Sequence, residues 1–364
     1  MRTILKVCAL LIATTICTTV AFAAPKQRYV DASTLTIINK AHNDGLPFSR
    51  VDVSKFDIPE FAKKGLSNST GLAIVFSTDS RNISAKWTTV TKRASTNMTP
   101  IFKSGCDLYI KEGNKWVFAG VARPKIGDNN HQFNIVSNME EGVKECMLYL
   151  PMFDTVTSFQ IGVDEGATIE AIPSPFEKRV LFVGSSLTHG ASAARSGLCY
   201  VAKMGRMLNV ETPNIGLSGM CKLDDYFANI VCATEADAYI FDTFSNSTKQ
   251  NIEDRLYNFV KRITEAHPGK PMIFLQTIKR ESGRFDTVIR QRNAEQMAAA
   301  VAEMARVRKD FPNVFFINPG FDVWDDGEGT IDGSHLNDLG VQRTLDNIMP
   351  KVTKILKKYK ILTK

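Results

Sequence analysis

Two kinds of apolar patterning divide the chain. From about residue 26 to 170 the apolar runs are short, bounded by turn residues and largely alternating. Leu72-Ala73-Ile74-Val75-Phe76 is followed by Thr78-Asp79-Ser80, and then Ile83, Ala85, Trp87 and Thr89 recur at every second position. A period of two sets such residues on one face of a strand. Residues 107–110 and 115–118 flank Glu112-Gly113-Asn114, the signature of a hairpin. Residues 146–150 and 158–163 read as two further strands, and no helical period of useful length appears. This half is predicted to be an antiparallel β-sandwich.

Ala171-Ile172-Pro173-Ser174-Pro175 interrupts the pattern with two prolines, so a domain boundary is expected there, dividing 24–172 from 173–364. Beyond it the apolar runs become continuous. Val180-Leu181-Phe182-Val183, Ala238-Tyr239-Ile240-Phe241, Met272-Ile273-Phe274-Leu275 and Val314-Phe315-Phe316-Ile317 read as strands buried on both faces, with residues 211–215 a weaker fifth. Helical stretches fall between and after them, at about 194–208, 223–234, 250–266, 287–309 and 338–358. Strands alternating with helices predict an α/β domain whose parallel sheet is covered on both faces.

Composition changes this picture little. The 364 residues are 44% hydrophobic and 23% charged, ordinary globular usage with enough apolar chain for a core that needs no disulfide staples. A net charge of +7 over this length is too diffuse to be a nucleic-acid footprint. The N terminus matters more. Arg2 and Lys6 precede an apolar run from Val7 to Val20, and Ala21-Phe22-Ala23 supplies a small-residue cleavage pattern. Residues 1–23 are therefore expected to be a signal peptide cleaved after Ala23, giving a secreted or periplasmic protein that leaves the membrane once processed. The run is too short for a membrane anchor. Five cysteines remain after such cleavage: Cys106, Cys146, Cys199, Cys221 and Cys232. None is spaced as a metal site, and either one bridge among the last three or buried free thiols would fit.

Chemistry-bearing residues collect where an open α/β sheet places its reactive groups, after the carboxyl ends of the strands. The first strand leads into Gly184-Ser185-Ser186-Leu187-Thr188-His189-Gly190, and the 211–215 segment into Gly216-Leu217-Ser218-Gly219. Asp242-Thr243-Phe244-Ser245-Asn246 and, well downstream, Asp332-Gly333-Ser334-His335 follow. A hydroxyl becomes a useful nucleophile when an imidazole takes its proton, and a carboxylate fixes that imidazole's tautomer. Backbone N–H groups and an amide can hold the developing oxyanion. These are the parts of an acyl-transfer site that needs neither metal nor cofactor.

The four blocks, in this order, resemble the SGNH (GDSL-type) hydrolase family across residues 178–360. The resemblance implies a flavodoxin-like domain with Ser186 as nucleophile, His335 as base and Asp332 as its orienting partner. It further implies an oxyanion hole made by the N–H groups of Ser186 and Gly219 and the side-chain amide of Asn246. Two departures stand out. The family's Gly-Asp-Ser is Gly184-Ser185-Ser186 here, which leaves Ser185 as a rival nucleophile, and Ser247 follows Asn246 where Asp is common. Gly216 is an alternative to Gly219.

In the first half, Gly105-Cys106-Asp107-Leu108-Tyr109 is similar to the Gly-x-Asp-Leu-Tyr signature of a jelly-roll-like β-sandwich preceding SGNH domains in secreted bacterial esterases. That resemblance implies a short-chain, acetyl-type esterase acting on an acylated saccharide. A lipid or thioester acylhydrolase and a catalytically dead carbohydrate-binding protein are the alternatives. His189 lies in the same turn as Ser186 and is expected at most to line the pocket, while Trp87 and Trp116 are expected in the sandwich core. The late lysines 351, 354, 357, 358 and 360 alternate with Val352, Ile355 and Leu356, as on the solvated side of an amphipathic helix.

Overall fold

A computed structural model describes residues 26–91, 95–318 and 326–362. The expected signal peptide, residues 1–23, lies outside the described residues. The first half forms two antiparallel sheets. One has the spatial order Gln27–Asp31, Val156–Asp164, Ile83–Thr89, Asn130–Val136. The other runs Ile169–Ala171, Ala73–Thr78, Lys144–Tyr149, Cys106–Glu112, Lys115–Ala122, and Thr36–Ile38 also pairs with Ala73–Thr78. Between the sheets, Ile83, Ala85, Trp87, Phe159 and Ile161 of the first meet Ile74, Phe76, Leu108, Cys146 and Leu148 of the second. Trp87 is buried there and donates its indole N–H to the Ser104 carbonyl at 2.8 Å.

The central strands of the second sheet are buried on both sides. Ala73, Val75, Tyr109, Met147 and Tyr149, alternating with the sandwich-facing set, pack with Val180, Phe182, Tyr200 and Leu345 of the second half. This double burial explains why Leu72 to Phe76 carries no polar alternation. The Gly-x-Asp-Leu-Tyr segment sits at this junction. Cys106 and Leu108 point into the sandwich, while Asp107 Oδ2 accepts from Arg195 Nη1 at 2.7 Å and from the Gly197 N–H at 3.0 Å. Arg195 also donates to the Tyr109 hydroxyl at 2.7 Å. A Cβ on Gly197 would lie 2.4 Å from that hydroxyl, so only glycine permits the approach. The motif is thus a docking edge for the 195–197 turn.

The second half is a parallel sheet ordered Val180–Gly184, Ala238–Asp242, Met272–Leu275, Val314–Ile317. Helices Tyr200–Leu208 and Asp338–Lys358 cover one face, and Asp225–Cys232, Lys249–Ala266 and Thr287–Asp310 the other. Residues 211–215 form no strand of their own but bridge to the edge at Arg179–Glu211 and Phe182–Asn214. Pro213 explains this, since it has no N–H to give a continuous ladder. Several short elements escaped the pattern. Helices Glu60–Leu66 and Pro100–Ser104 are too brief to display a period, and Gln27–Asp31 and Asn130–Val136 are too polar to stand out as strands. All five cysteines in the described chain are free thiols.

Candidate functional site

The site begins at a sharp strand-to-helix turn. Gly184 ends the first parallel strand, where a Cβ would lie 2.3 Å from Thr188 Oγ1 and 2.8 Å from the Asp242 carbonyl. Ser185 then caps the single-turn helix Ser186–His189, its hydroxyl accepting from the Leu187 N–H at 3.1 Å. Gly190, at φ +92°, closes the turn in a conformation glycine adopts without strain. Ser186 is the first helical residue and is 8% exposed.

The two serines have different surroundings. Ser186 Oγ lies 3.0 Å from His335 Nε2. Ser185 is fully buried and donates its hydroxyl to Asp242 Oδ2 at 2.7 Å. Thr188 donates to the same oxygen at 3.1 Å and Ser245 to Oδ1 at 2.7 Å. Burial pushes the Asp242 carboxyl up, and these three hydroxyls oppose the shift only in part. Where the family has a carboxylate, Ser185 thus offers a hydroxyl that bonds a carboxylate of the neighbouring strand.

Asp332 and His335 share a tight loop. Asp332 Oδ1 accepts from the backbone N–H groups of Ser334 at 3.1 Å and His335 at 2.9 Å, and Oδ2 lies 2.8 Å from His335 Nδ1. With Nδ1 donating to the carboxylate, Nε2 presents its lone pair to Ser186. Burial raises the Asp332 carboxyl, but the His335 bonds and one from Asn97 outweigh it and hold the group below its usual range. The loop is braced by Glu281, which accepts from the Gly329 N–H at 2.7 Å and the Thr330 N–H at 3.1 Å.

Gly219 and Asn246 border one cleft of about 340 Å³ together with Ser334. Gly219 adopts φ +75° in open space, and among the described residues its N–H makes no hydrogen bond. Asn246 donates its amide to the Met220 carbonyl, which ties the second block to the third. Gly216 is placed differently. Its N–H is taken by Asn214 Oδ1 at 2.9 Å, its carbonyl accepts from the buried Arg50, and a Cβ would sit 2.4 Å from the His189 nitrogen. His189 does not line an open pocket. It is enclosed, stacks on Phe153 at 3.6 Å and has Nε2 3.0 Å from the Met152 carbonyl. Burial, reinforced by the charge of Arg50, pushes its pKa well below the ordinary histidine value. It joins the two halves as a neutral ring.

One contributor carries no motif. Asn97, from the sandwich half, donates Nδ2 to Asp332 Oδ2 at 3.2 Å. Its loop is pinned to the second half by Ser192 Oγ, which donates to the Asn97 carbonyl at 2.8 Å, and by Thr99 Oγ1 on the Ala194 carbonyl at 2.8 Å. Asp242 is the other, visible in the third block only as the residue ending a strand.

A sequence model of the GDSL-like lipase/acylhydrolase family matches residues 177–353, and one of the GxDLY N-terminus of SGNH-hydrolase-type esterases matches residues 27–169. Among solved structures, a GDSL-like lipase from Bacteroides ovatus is 38% identical, covering 91% of this chain and 98% of its own, with a TM-score of 0.89. The salicylyl-acyltransferase SsfX3 of a tetracycline biosynthetic pathway is 18% identical over 90% of this chain and 97% of its own, with a TM-score of 0.71. A family-two carbohydrate esterase from Cellvibrio japonicus is 12% identical over 92% and 99%, with a TM-score of 0.60. No curated protein matches the chain in sequence. The chain belongs to the GDSL-like lipase/acylhydrolase family of SGNH hydrolases, with a GxDLY-type domain preceding its α/β fold.

Proposed function

We propose that this protein is an exported serine esterase that removes short acyl groups, acetyl above all, from saccharides. The observation carrying this reading is the relay in which Ser186 Oγ stands 3.0 Å from His335 Nε2 and His335 Nδ1 stands 2.8 Å from Asp332. His335 takes the Ser186 proton as the oxygen attacks the ester carbonyl. Asp332, kept ionised by its bonds, stabilises the imidazolium that forms. The N–H groups of Ser186 and Gly219 and the amide of Asn246 receive the oxyanion. His335 then protonates the departing alcohol, and water cleaves the acyl-enzyme by the same route.

The saccharide assignment draws support from fold neighbours described as family-two carbohydrate esterases, one of them in complex with cellohexaose, and from one described as an acetyl xylan esterase. The cleft bordered by Gly219 and Asn246 is lined largely by polar and charged side chains, which agrees with a sugar rather than a fatty chain. The test is hydrolysis of 4-nitrophenyl acetate, butyrate and octanoate and of acetylated xylan by the wild type and Ser186→Ala. Turnover should fall steeply from acetate to octanoate, include the xylan, and drop about 10⁴-fold or more in Ser186→Ala. Octanoate preference, or full activity of the variant, would refute the reading. Mass spectrometry of the exported protein should find its N terminus at Ala24.

A further inference from the structure

The cleft that holds Gly219, Asn246 and Ser334 has a second character, unrelated to the oxyanion. Its remaining walls carry Lys222, Arg280 and Arg292, and among the described residues no aspartate or glutamate lines it. Arg280 is held in place from two sides. Its Nη2 donates to the Ser245 carbonyl at 2.7 Å and its backbone N–H to Asn293 Oδ1 at 3.1 Å. Among the described residues, the Lys222 ammonium and the Arg292 guanidinium form no ion pair, whereas Arg255 pairs with Asp224 and Arg262 with Asp225. Burial first, and the charge of Arg292 second, act against the charged state of Arg280, with Asp242 and Asp332 offsetting them only in part. Three cations on the walls of one cleft make it favourable ground for an anion.

Position decides which part of a substrate this would be. The departing alcohol oxygen must come within reach of His335 Nε2, and Ser334, the residue before that histidine, lines the same cleft. The alcohol is the part of an acetyl ester large enough to extend from there toward the cations. A volume of about 340 Å³ is far more than an acetyl group fills and lies within the range of small-ligand pockets, roughly 300–1,000 Å³. Guanidinium forks match carboxylates and sulfates, which accept two parallel hydrogen bonds.

We propose that this cleft recognises an anionic group on the sugar moiety, making the natural substrate an O-acylated acidic saccharide such as a uronic-acid residue. The proposal deepens the esterase reading and rests on it for the identity of the ester, but the anion site can be tested apart from turnover.

Calorimetric titration of the Ser186→Ala protein with methyl glucuronoside, methyl glucoside and methyl glucoside 6-sulfate measures the subsite directly. An anionic sugar should bind about tenfold or more tightly than the neutral one, with the advantage lost in Lys222→Gln/Arg292→Gln and weakened at high salt. Tighter binding of the sulfate than the carboxylate would assign the anion as sulfate; the reverse would assign a uronic acid. Equal binding of neutral and anionic sugars would overturn the proposal, as would an advantage that survives the double substitution. The companion experiment compares kcat/KM of the wild type on matched acetyl esters of the glucoside and the glucuronoside. Discrimination in binding with no turnover of either ester or of 4-nitrophenyl acetate would sink the esterase reading and leave the anion site standing.

Discussion

Replacing Ser185 by alanine separates the two adjacent serines by what each does. The Ser185 hydroxyl makes a 2.7 Å bond to the buried Asp242 carboxylate and a 3.1 Å cap on the Leu187 N–H. A hydrogen bond to a charged group contributes about 1.5–3 kcal/mol and an N-cap about 1 kcal/mol. One hydroxyl serves both, and Asp242 Oδ2 keeps its bond from Thr188, so the loss should lie at or below that sum, about 2–4 kcal/mol. With an unfolding entropy of about 2.1 cal/mol/K per residue over 364 residues, that lowers Tm by roughly 3–5 °C. Scanning calorimetry gives the shift, and 4-nitrophenyl acetate hydrolysis at a temperature where both proteins are folded gives kcat. Ser185→Ala should be less stable while retaining kcat within about threefold, since the hydroxyl is bonded to Asp242 and Leu187 and not to His335. An unchanged Tm would show that the Asp242 bond carries no weight. Abolished turnover in a folded Ser185→Ala protein would transfer the nucleophile's role to Ser185 and overturn the assignment to Ser186.

Asn97→Ala removes a bond to the partly exposed Asp332, so kcat should fall about three- to tenfold with KM little changed; equal kcat would reduce Asn97 to a loop residue. Asp107→Ala leaves the Arg195 guanidinium without its buried acid and should cost about 3 kcal/mol in guanidinium-chloride unfolding, with an unchanged midpoint refuting the docking role of the motif. The Asp332 carboxyl is held below its ordinary value of 3.8, so the stability it contributes is present above that pH and lost as pH falls through the lowered folded value. The stability gap between wild type and Asp332→Asn should therefore narrow below about pH 4, and a gap that widened there would contradict the sign.

How much was legible in the sequence follows from the range over which each residue acts. Continuous apolar runs such as Val180 to Val183 announce a strand covered on both sides because no neighbour in the sheet needs to be polar. The Ser186 and Asp332-to-His335 blocks are readable because each local turn forms within a few residues, and only their meeting requires the fold. Asn97 was invisible for the opposite reason. It reaches Asp332 across 235 residues from a loop with no motif, and no pattern in the chain encodes that distance. The Gly-Ser-Ser departure left Ser185 as a rival nucleophile because the Asp242 that engages its hydroxyl belongs to the adjacent strand. Residues 211–215 were legible only as a weak fifth strand, and with Pro213 among them they bond to the sheet without being one.

The sandwich sheet whose central strands are dry on both sides also bears on inheritance. A binding module joined by a linker can be gained, lost or exchanged between genes with little harm to its host enzyme. This one cannot, because removing it would strip cover from Val180, Phe182 and Tyr200 and take Asn97 away from Asp332. Recombination near residue 173 would have to deliver a partner with a matching apolar face, an acid for Arg195 and an amide for the relay. The two halves are expected to travel together through descent, and substrate preference to shift by substitution at cleft positions such as Lys222 and Arg292 rather than by exchange of the sandwich.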